Sequence, residues 1–137
     1  MLIDSNILVY SINSSSPKHK TAQQFLQNNV NSLDLAHQNI FESLRVLTHP
    51  KFVHPMPIKD ALTALNNIAD NCNIIFPDYK THRIALEIIS KYKLSSDQVF
   101  DAYLTATALS NDIEIIATDN EKDFKQFEEI KVLNPFK

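Results

Sequence analysis

The sequence predicts an α/β fold, a parallel sheet flanked by helices. Short apolar runs alternate with longer stretches of helical period, the pattern of strands joined by helical crossovers. Carboxylates stand at the carboxyl ends of two such runs, where ligands gather in open α/β sheets. At 137 residues the chain suits one domain, spanning residues 1–137.

Strands are expected near residues 1–4, 33–36, 73–76, 113–118 and 131–133. Ser16 and Pro17 offer an N-cap with proline at the first helical position, opening a helix through Phe25 and Leu26. Residues 36–47 carry Ile40, Phe41, Leu44 and Leu47 at helical spacing. Pro57 starts another helix with Ala61, Leu62, Leu65 and Ile68 inward, and Ile84, Leu86, Ile88 and Ile89 mark a fourth. Ser95 and Gln98 fit a Ser-x-x-Gln capping box ahead of a helix over 99–109. Three prolines make residues 49–57 a loop or helix break.

Composition excludes several activities. With no glycine, the chain lacks the means to build P-loops, dinucleotide fingerprints, kinase glycine loops or a Gly-x-Ser-x-Gly elbow. Turns at positive φ are expected to fall mostly to Asn. The lone Cys72 forms no intramolecular disulfide and no cysteine zinc cluster, which points to a reducing compartment. The apolar runs are too short to span a bilayer, and no basic segment precedes a long apolar one at the start. A soluble cytoplasmic protein without membrane contact is expected. The net charge of −3 gives no sign of a sequence-independent duplex binder, but leaves room for a nucleic-acid enzyme whose site holds cations. Residues 112–129 carry seven acids against two lysines.

Four acids are candidates for chemistry. Asp4 closes the first strand, where it either faces a ligand or caps the helix starting at Ser5. Asp101 lies in an apolar helix one turn after Asp97, a pairing of like charges that calls for a counter-ion. Glu42 sits on a largely apolar helix with Arg45 at i+3, which offers a local ion pair or a phosphate contact. Asp119 follows the fourth strand, in a turn that also suits helix capping. Carboxylates brought together drive each other's pKa upward, and a hard divalent ion relieves that conflict. Mg²⁺ or Mn²⁺ matches oxygen donors; the five histidines do not show metal spacing.

These residues resemble those of the PIN-domain ribonucleases, in particular the VapC-type toxins of toxin–antitoxin pairs. The matching pieces run from Leu2-Ile3-Asp4-Ser5-Asn6-Ile7-Leu8-Val9-Tyr10, through Phe41-Glu42-Ser43-Leu44-Arg45, to Val99-Phe100-Asp101-Ala102-Tyr103-Leu104. Ala117-Thr118-Asp119, Lys122-Asp123-Phe124 and Val132-Leu133-Asn134-Pro135 complete the order. The resemblance implies a three-layer α/β/α domain around a parallel sheet of about five strands, and a metal-dependent endoribonuclease using Mg²⁺. Asp4, Glu42 and Asp101 match the first three family acids, with Asp4 and Asp101 as metal ligands. The family commonly has Thr, one residue, then Asp. Here Asp119 follows Thr118 directly and is taken as the fourth acid, with Asn120 in the later slot as the alternative side chain to face the metal. Asn6, Arg45 and Thr118 support the site. An RNA substrate, a cognate antitoxin and homodimerisation are implied likewise.

Two other readings compete. A PIN fold that binds RNA or a partner without turnover is disfavoured by the intact Asp4, Glu42 and Asp101. A phospho-acceptor receiver would need adjacent acids after its first strand and an acceptor after its third, but the chain has Asp4-Ser5-Asn6 and Pro77-Asp78 there.

Overall fold

The computed structural model describes residues 1–137. Its strands are β1 (Leu2–Ile3), β2 (Asp34–Ala36), β3 (Asn73–Ile75), β4 (Ile115–Ala117) and β5 (Lys131–Leu133). They form one sheet of order β3-β2-β1-β4-β5 in which every pairing is parallel. The helices are α1 (Ser5–Ile12), α2 (His19–Asn28), α3 (His37–Thr48), α4 (Ile58–Ala69), α5 (Tyr79–Tyr92), α6 (Gln98–Ser110) and α7 (Glu121–Phe124). All five strands fall within the expected runs, and the α/β/α layering is as the family resemblance implied.

Alternation along the central strands feeds two cores, because successive side chains leave a strand on opposite faces. Leu2 and Ile116 enter one core with Ile88 of α5, Ala102 and Leu104 of α6, and Phe124 of α7. Ile3 and Ala117 enter the other with Ile7 and Leu8 of α1 and Ala22 of α2. A third cluster, Val9, Leu47, Ala61 and Leu65, ties α1 to α3 and α4. Leu2, Ile3, Ile7, Leu8 and Ile116 are fully buried, and each contributes about 1.5–3 kcal/mol of apolar transfer. That burial, rather than strand length, holds the central strand in place.

Several local expectations need correction. The first-turn proline does not open α2: residues ahead of it coil in turns, with Ser16 N–H on the Asn13 carbonyl and His19 N–H on the Ser16 carbonyl. The helix therefore begins at His19, and Ser16 Oγ caps only the Lys18 N–H, at 3.1 Å. No capping box forms at Ser95, because Gln98 N–H bonds the Ser95 carbonyl and Asp97 takes the N-cap position. The reciprocal box forms instead on α5, between Asp78 and Thr81. Phe41, Leu62 and Leu86 face outward; on α3 the buried stripe runs through Asn39, Ser43 and Leu47.

Positive φ falls to Lys93, Ser96 and Asp112, not to Asn. The strained Lys93 N–H closes on the Ile89 and Ser90 carbonyls at the end of α5, which offsets the left-handed cost. Asparagines end helices by another route. Asn29 and Asn111 keep negative φ and send their amides back four residues to Phe25 and Thr107, both at 2.8 Å.

Candidate active site

The short β1 ends in the middle of the sheet, so Asp4 emerges where β2 and β4 also finish. Its main-chain N–H still pairs with the Ala117 carbonyl. Its carboxylate is buried, at 7% exposure, and serves two purposes. Oδ1 accepts from Ser5 N–H at 2.8 Å and so caps α1. Oδ2 accepts from Thr118 Oγ1 at 2.7 Å and Asn6 Nδ2 at 2.9 Å. Asn6 also reaches Thr118 Oγ1 at 3.1 Å, while its carbonyl accepts the Asp119 N–H at 3.2 Å. One amide thus ties the end of β1 to the end of β4. Burial raises the Asp4 pKa, bonds from Thr118 and Ser5 oppose the rise, and the charge of Glu42 adds to it. The net shift is upward.

Glu42 reaches the same place from α3. Ser5 Oγ donates to its Oε2 at 3.2 Å and Gln38 Nε2 to its Oε1 at 2.8 Å. The local ion pair with Arg45 does not form. Both carboxylate oxygens are already engaged, and Arg45 is exposed without a carboxylate partner. Asp101 stands in the first turn of α6. Burial first, then the charges of Asp123, Asp4, Glu42 and Asp97, push its pKa up to about 7.

A cleft of about 370 Å³ joins these groups; its walls include Asp4, Asn6, Glu42, Asp101, Asn120 and Asp123. None of the ion pairs of the molecule involves its four acids. No three His, Cys, Asp or Glu side chains close on one point, so the acids share a cleft without forming a finished cage. A hard divalent ion does not need one: Mg²⁺ characteristically keeps several waters and one or two carboxylates. The lining has neither histidine nor cysteine, which suits Mg²⁺ or Mn²⁺ and not zinc. A larger hollow of about 480 Å³, beside Asp34, Asp70 and Cys72 at the amino end of the sheet, gathers no comparable group of charges.

The fourth acid differs from expectation. Asp119 does not line the cleft. Its Oδ2 is bound by Lys18 Nζ and by Tyr10 Oη, the latter at 3.0 Å. Burial works to raise its pKa, but the bonds from Lys18 and Tyr10 outweigh that and hold it below the usual carboxylate range. Asp123 of α7 occupies the cleft instead, with Asn120, the N-cap of that helix three residues earlier and the alternative left open for the fourth position. Two signals in the sequence point there: the i, i+3 spacing from Asn120, and the neighbouring Phe124, whose burial anchors the turn. Ser5 and Gln38, the two residues that hold Glu42, carried no sequence signal of their own. At the end of β3, Asp78 caps α5, which leaves the receiver reading without an acceptor.

A parallel sheet between two helical layers, with four acids gathered at its carboxyl edge, defines an α/β/α protein with an acidic site. The chain belongs to the PIN domain family, whose model matches residues 1–130. It is 26% identical to ribonuclease VapC33 of Mycobacterium tuberculosis, over 98% of this chain and 96% of that protein. Among solved structures it is similar to VapBC2 from Rickettsia felis bound to a promoter DNA fragment, with TM-score 0.72 and 18% identity over 97% of this chain and 96% of that one. It is also similar to Mycobacterium tuberculosis VapC20, a sarcin–ricin loop cleaving toxin, with TM-score 0.70 and 14% identity over 95% and 98% of the two chains. No helix is long and apolar enough to cross a membrane.

Proposed function

We propose that residues 1–137 form one PIN domain that hydrolyses RNA phosphodiester bonds as a divalent-metal-dependent endoribonuclease, with Mg²⁺ as the ion and Mn²⁺ as a substitute. The observation that carries this reading is the set of four carboxylates, Asp4, Glu42, Asp101 and Asp123, facing one cleft with no protein cation among them. Asp4 and Asp101 are the ligands that would hold the ion. When bound, it lowers the pKa of water and screens charge building on phosphoryl oxygens.

The chain's own groups do the rest. Ser5 and Gln38 fix the Glu42 carboxylate, which accepts a proton from the attacking water at Oε1 or Oε2. Thr118 and Asn6 hold Asp4 in one rotamer. Arg45, exposed and unpaired on the helix that carries Glu42, binds a phosphate of the RNA backbone. Asp123 and Asn120 close the opposite wall.

The relatives named VapC and VapBC support reading the chain as the toxin of a toxin–antitoxin pair. A basic segment of a cognate antitoxin complements the acid cleft and would neutralise it. Homodimerisation belongs to the same reading and is checked by light scattering. The test of activity is cleavage of single-stranded RNA by the purified protein with Mg²⁺, with Mn²⁺ and with chelator. Cleavage that needs the ion supports the proposal; equal cleavage in chelator, or none under any condition, overturns it. Co-expression with the neighbouring reading frame tests the pairing, which fails if growth arrest persists and nothing co-purifies.

A further inference from the structure

Asp123 and Asn120 line the cleft from the shortest helix of the molecule. α7 has four residues, and an isolated helix below about 12 residues is marginal in water. Asp123 meets like charges in the cleft, and its charge is the foremost of those acting on Asp101, so repulsion drives it outward. Asn120 takes the N-cap position without making a side-chain cap bond, which leaves the first turn to other supports. A helix of one turn under that load needs anchors.

Two are present. Phe124 is buried in the core at one end of the turn. At the other end stands Glu121, which does not line the cleft and whose side chain is only 14% accessible. Its Oε2 accepts from Asn134 Nδ2 at 3.1 Å and from Lys137 Nζ, and its Oε1 from Lys125 Nζ at 2.6 Å. Asn134 is held for this contact. Leu133 ends β5 with its carbonyl on the Thr118 N–H at 2.9 Å, so the chain leaves the sheet beside the site. Asn134 Oδ1 then accepts the Phe136 N–H at 2.9 Å, which fixes the amide with Nδ2 on Glu121. Phe136 packs edge-on to Tyr10 of α1, a cleft residue, with centroids 5.5 Å apart. Residues 134–136 thus join α7 to α1 across the carboxyl edge.

We propose that Glu121 and Asn134 are positioning residues of the nuclease site: their bond sets the orientation of α7 and so holds Asp123 in the cleft against its like-charged neighbours. The assignment rests on the metal-dependent ribonuclease reading and adds to it the residues that keep the fourth acid in place. Neither side chain faces the cleft, so both act through Asp123. The exposed lysines on Glu121 supply less, because water screens them; the Asn134 amide is oriented before Glu121 meets it.

The test uses the full chain and reads Mn²⁺ affinity by calorimetry without RNA, beside the Mg²⁺ concentration that gives half-maximal cleavage. Glu121→Ala and Asn134→Ala should each raise the Mn²⁺ Kd and that Mg²⁺ concentration about 10-fold, the low end of the loss when a partner behind a metal-binding group is removed. Glu121→Gln keeps an acceptor for Asn134 and should recover most of the affinity. Lys125→Ala breaks one exposed ion pair and should stay within about 2-fold of wild type. Asp123→Asn should itself weaken Mn²⁺ binding, and Asn134→Ala added to it should cost less than about 2-fold more. Unchanged Mn²⁺ affinity in both alanine variants overturns the proposal, even where Tm falls, and leaves the contact a stabilising one only. Full additivity of Asn134→Ala with Asp123→Asn also overturns it, because the loss would not pass through that acid. A wild type that binds no Mn²⁺ overturns it together with the divalent-metal reading. A wild type that binds Mn²⁺ but cleaves no RNA counts against the nuclease reading alone, since calorimetry still decides the role of Glu121 and Asn134.

Discussion

Asp4 and Asp119 stand just beyond adjacent strands, and the fold treats their charges in opposite ways. Asp4 is surrounded by neutral donors, the Ser5 N–H, the Asn6 amide and the Thr118 hydroxyl. These fix its orientation but leave its charge uncompensated, with Glu42 beside it, and burial carries its pKa upward. Asp119 receives an ammonium from Lys18 and a phenol from Tyr10, and its pKa falls despite burial. Lys18 is itself held against the Tyr10 and Phe136 rings, 5.4 and 5.2 Å from their centroids. A strand-end acid is available to an external cation only when the fold has not supplied one of its own. Tyr10 marks the border: it lines the cleft but donates to Asp119, and burial followed by that bond raises its own pKa to about 12.

The comparison breaks most readily on activity. Asp4→Asn or Asp101→Asn should lower metal-dependent cleavage at least ~100-fold, since the several kcal/mol supplied by a bound metal convert at about tenfold per 1.36 kcal/mol. Asp119→Asn should change the rate by no more than about 3-fold, the scale of a substitution away from the reacting groups. Comparable losses for Asp4 and Asp119 variants would return Asp119 to the catalytic set. Asn6→Ala comes next. It removes the bond to Asp4 and the bridge to Thr118, each a charge-assisted or buried contact of about 1–2 kcal/mol, so cleavage should fall about 10-fold. Circular dichroism should show the fold intact, and a rate equal to wild type would deny Asn6 its orienting role.

The fold was largely legible because its signals are local and redundant: five apolar runs, four long amphipathic stretches and a chain length that admits one sheet. The details that failed depend on neighbours distant in sequence. Phe41 matches the helical period of residues 36–47, yet it points outward because Asn39 and Ser43 take the buried stripe of α3. Asp4, Glu42 and Asp101 were legible as acids in apolar settings, where a charge needs an explanation. Asp119 was misplaced because position after a strand says nothing about Lys18, 101 residues away. Gln38 is an unremarkable helix residue until its amide is seen to reach Glu42.

The two acids should also shift stability with pH in opposite directions. The pKa of Asp101 is raised from 3.8 to about 7, so its contribution is complete below about 4 and lost as pH rises through about 7. In chelator, Asp101→Asn should therefore gain in Tm over wild type as pH climbs from about 5 to about 8, and saturating Mg²⁺ should remove the gain. The pKa of Asp119 is lowered, so its contribution is present above 3.8 and lost on acidification below that value. Asp119→Asn should lose Tm at neutral pH, with the deficit fading near pH ~3. Shifts of the same sign in both variants would mean that the two carboxylates share one electrostatic environment.

The smallest effect isolates the Lys18–Asp119 pair itself. Its partners differ in exposure, with side chains 40% and 15% accessible, so the pair lies between a surface contact and a buried one. Lys18→Met should cost about 1 kcal/mol, a Tm decrease of roughly 3–5 °C for a chain of this size. Methionine keeps much of the apolar stem against Tyr10 and Phe136, which confines the loss to the charge. In a double-mutant cycle with Asp119→Asn the second substitution should cost less in the Lys18→Met background, because the pair is already broken. Cleavage should stay within about 3-fold of wild type throughout. Strict additivity would show that Lys18 does not neutralise Asp119 in solution, and the carboxylate would then stand as exposed to an external cation as Asp4 does.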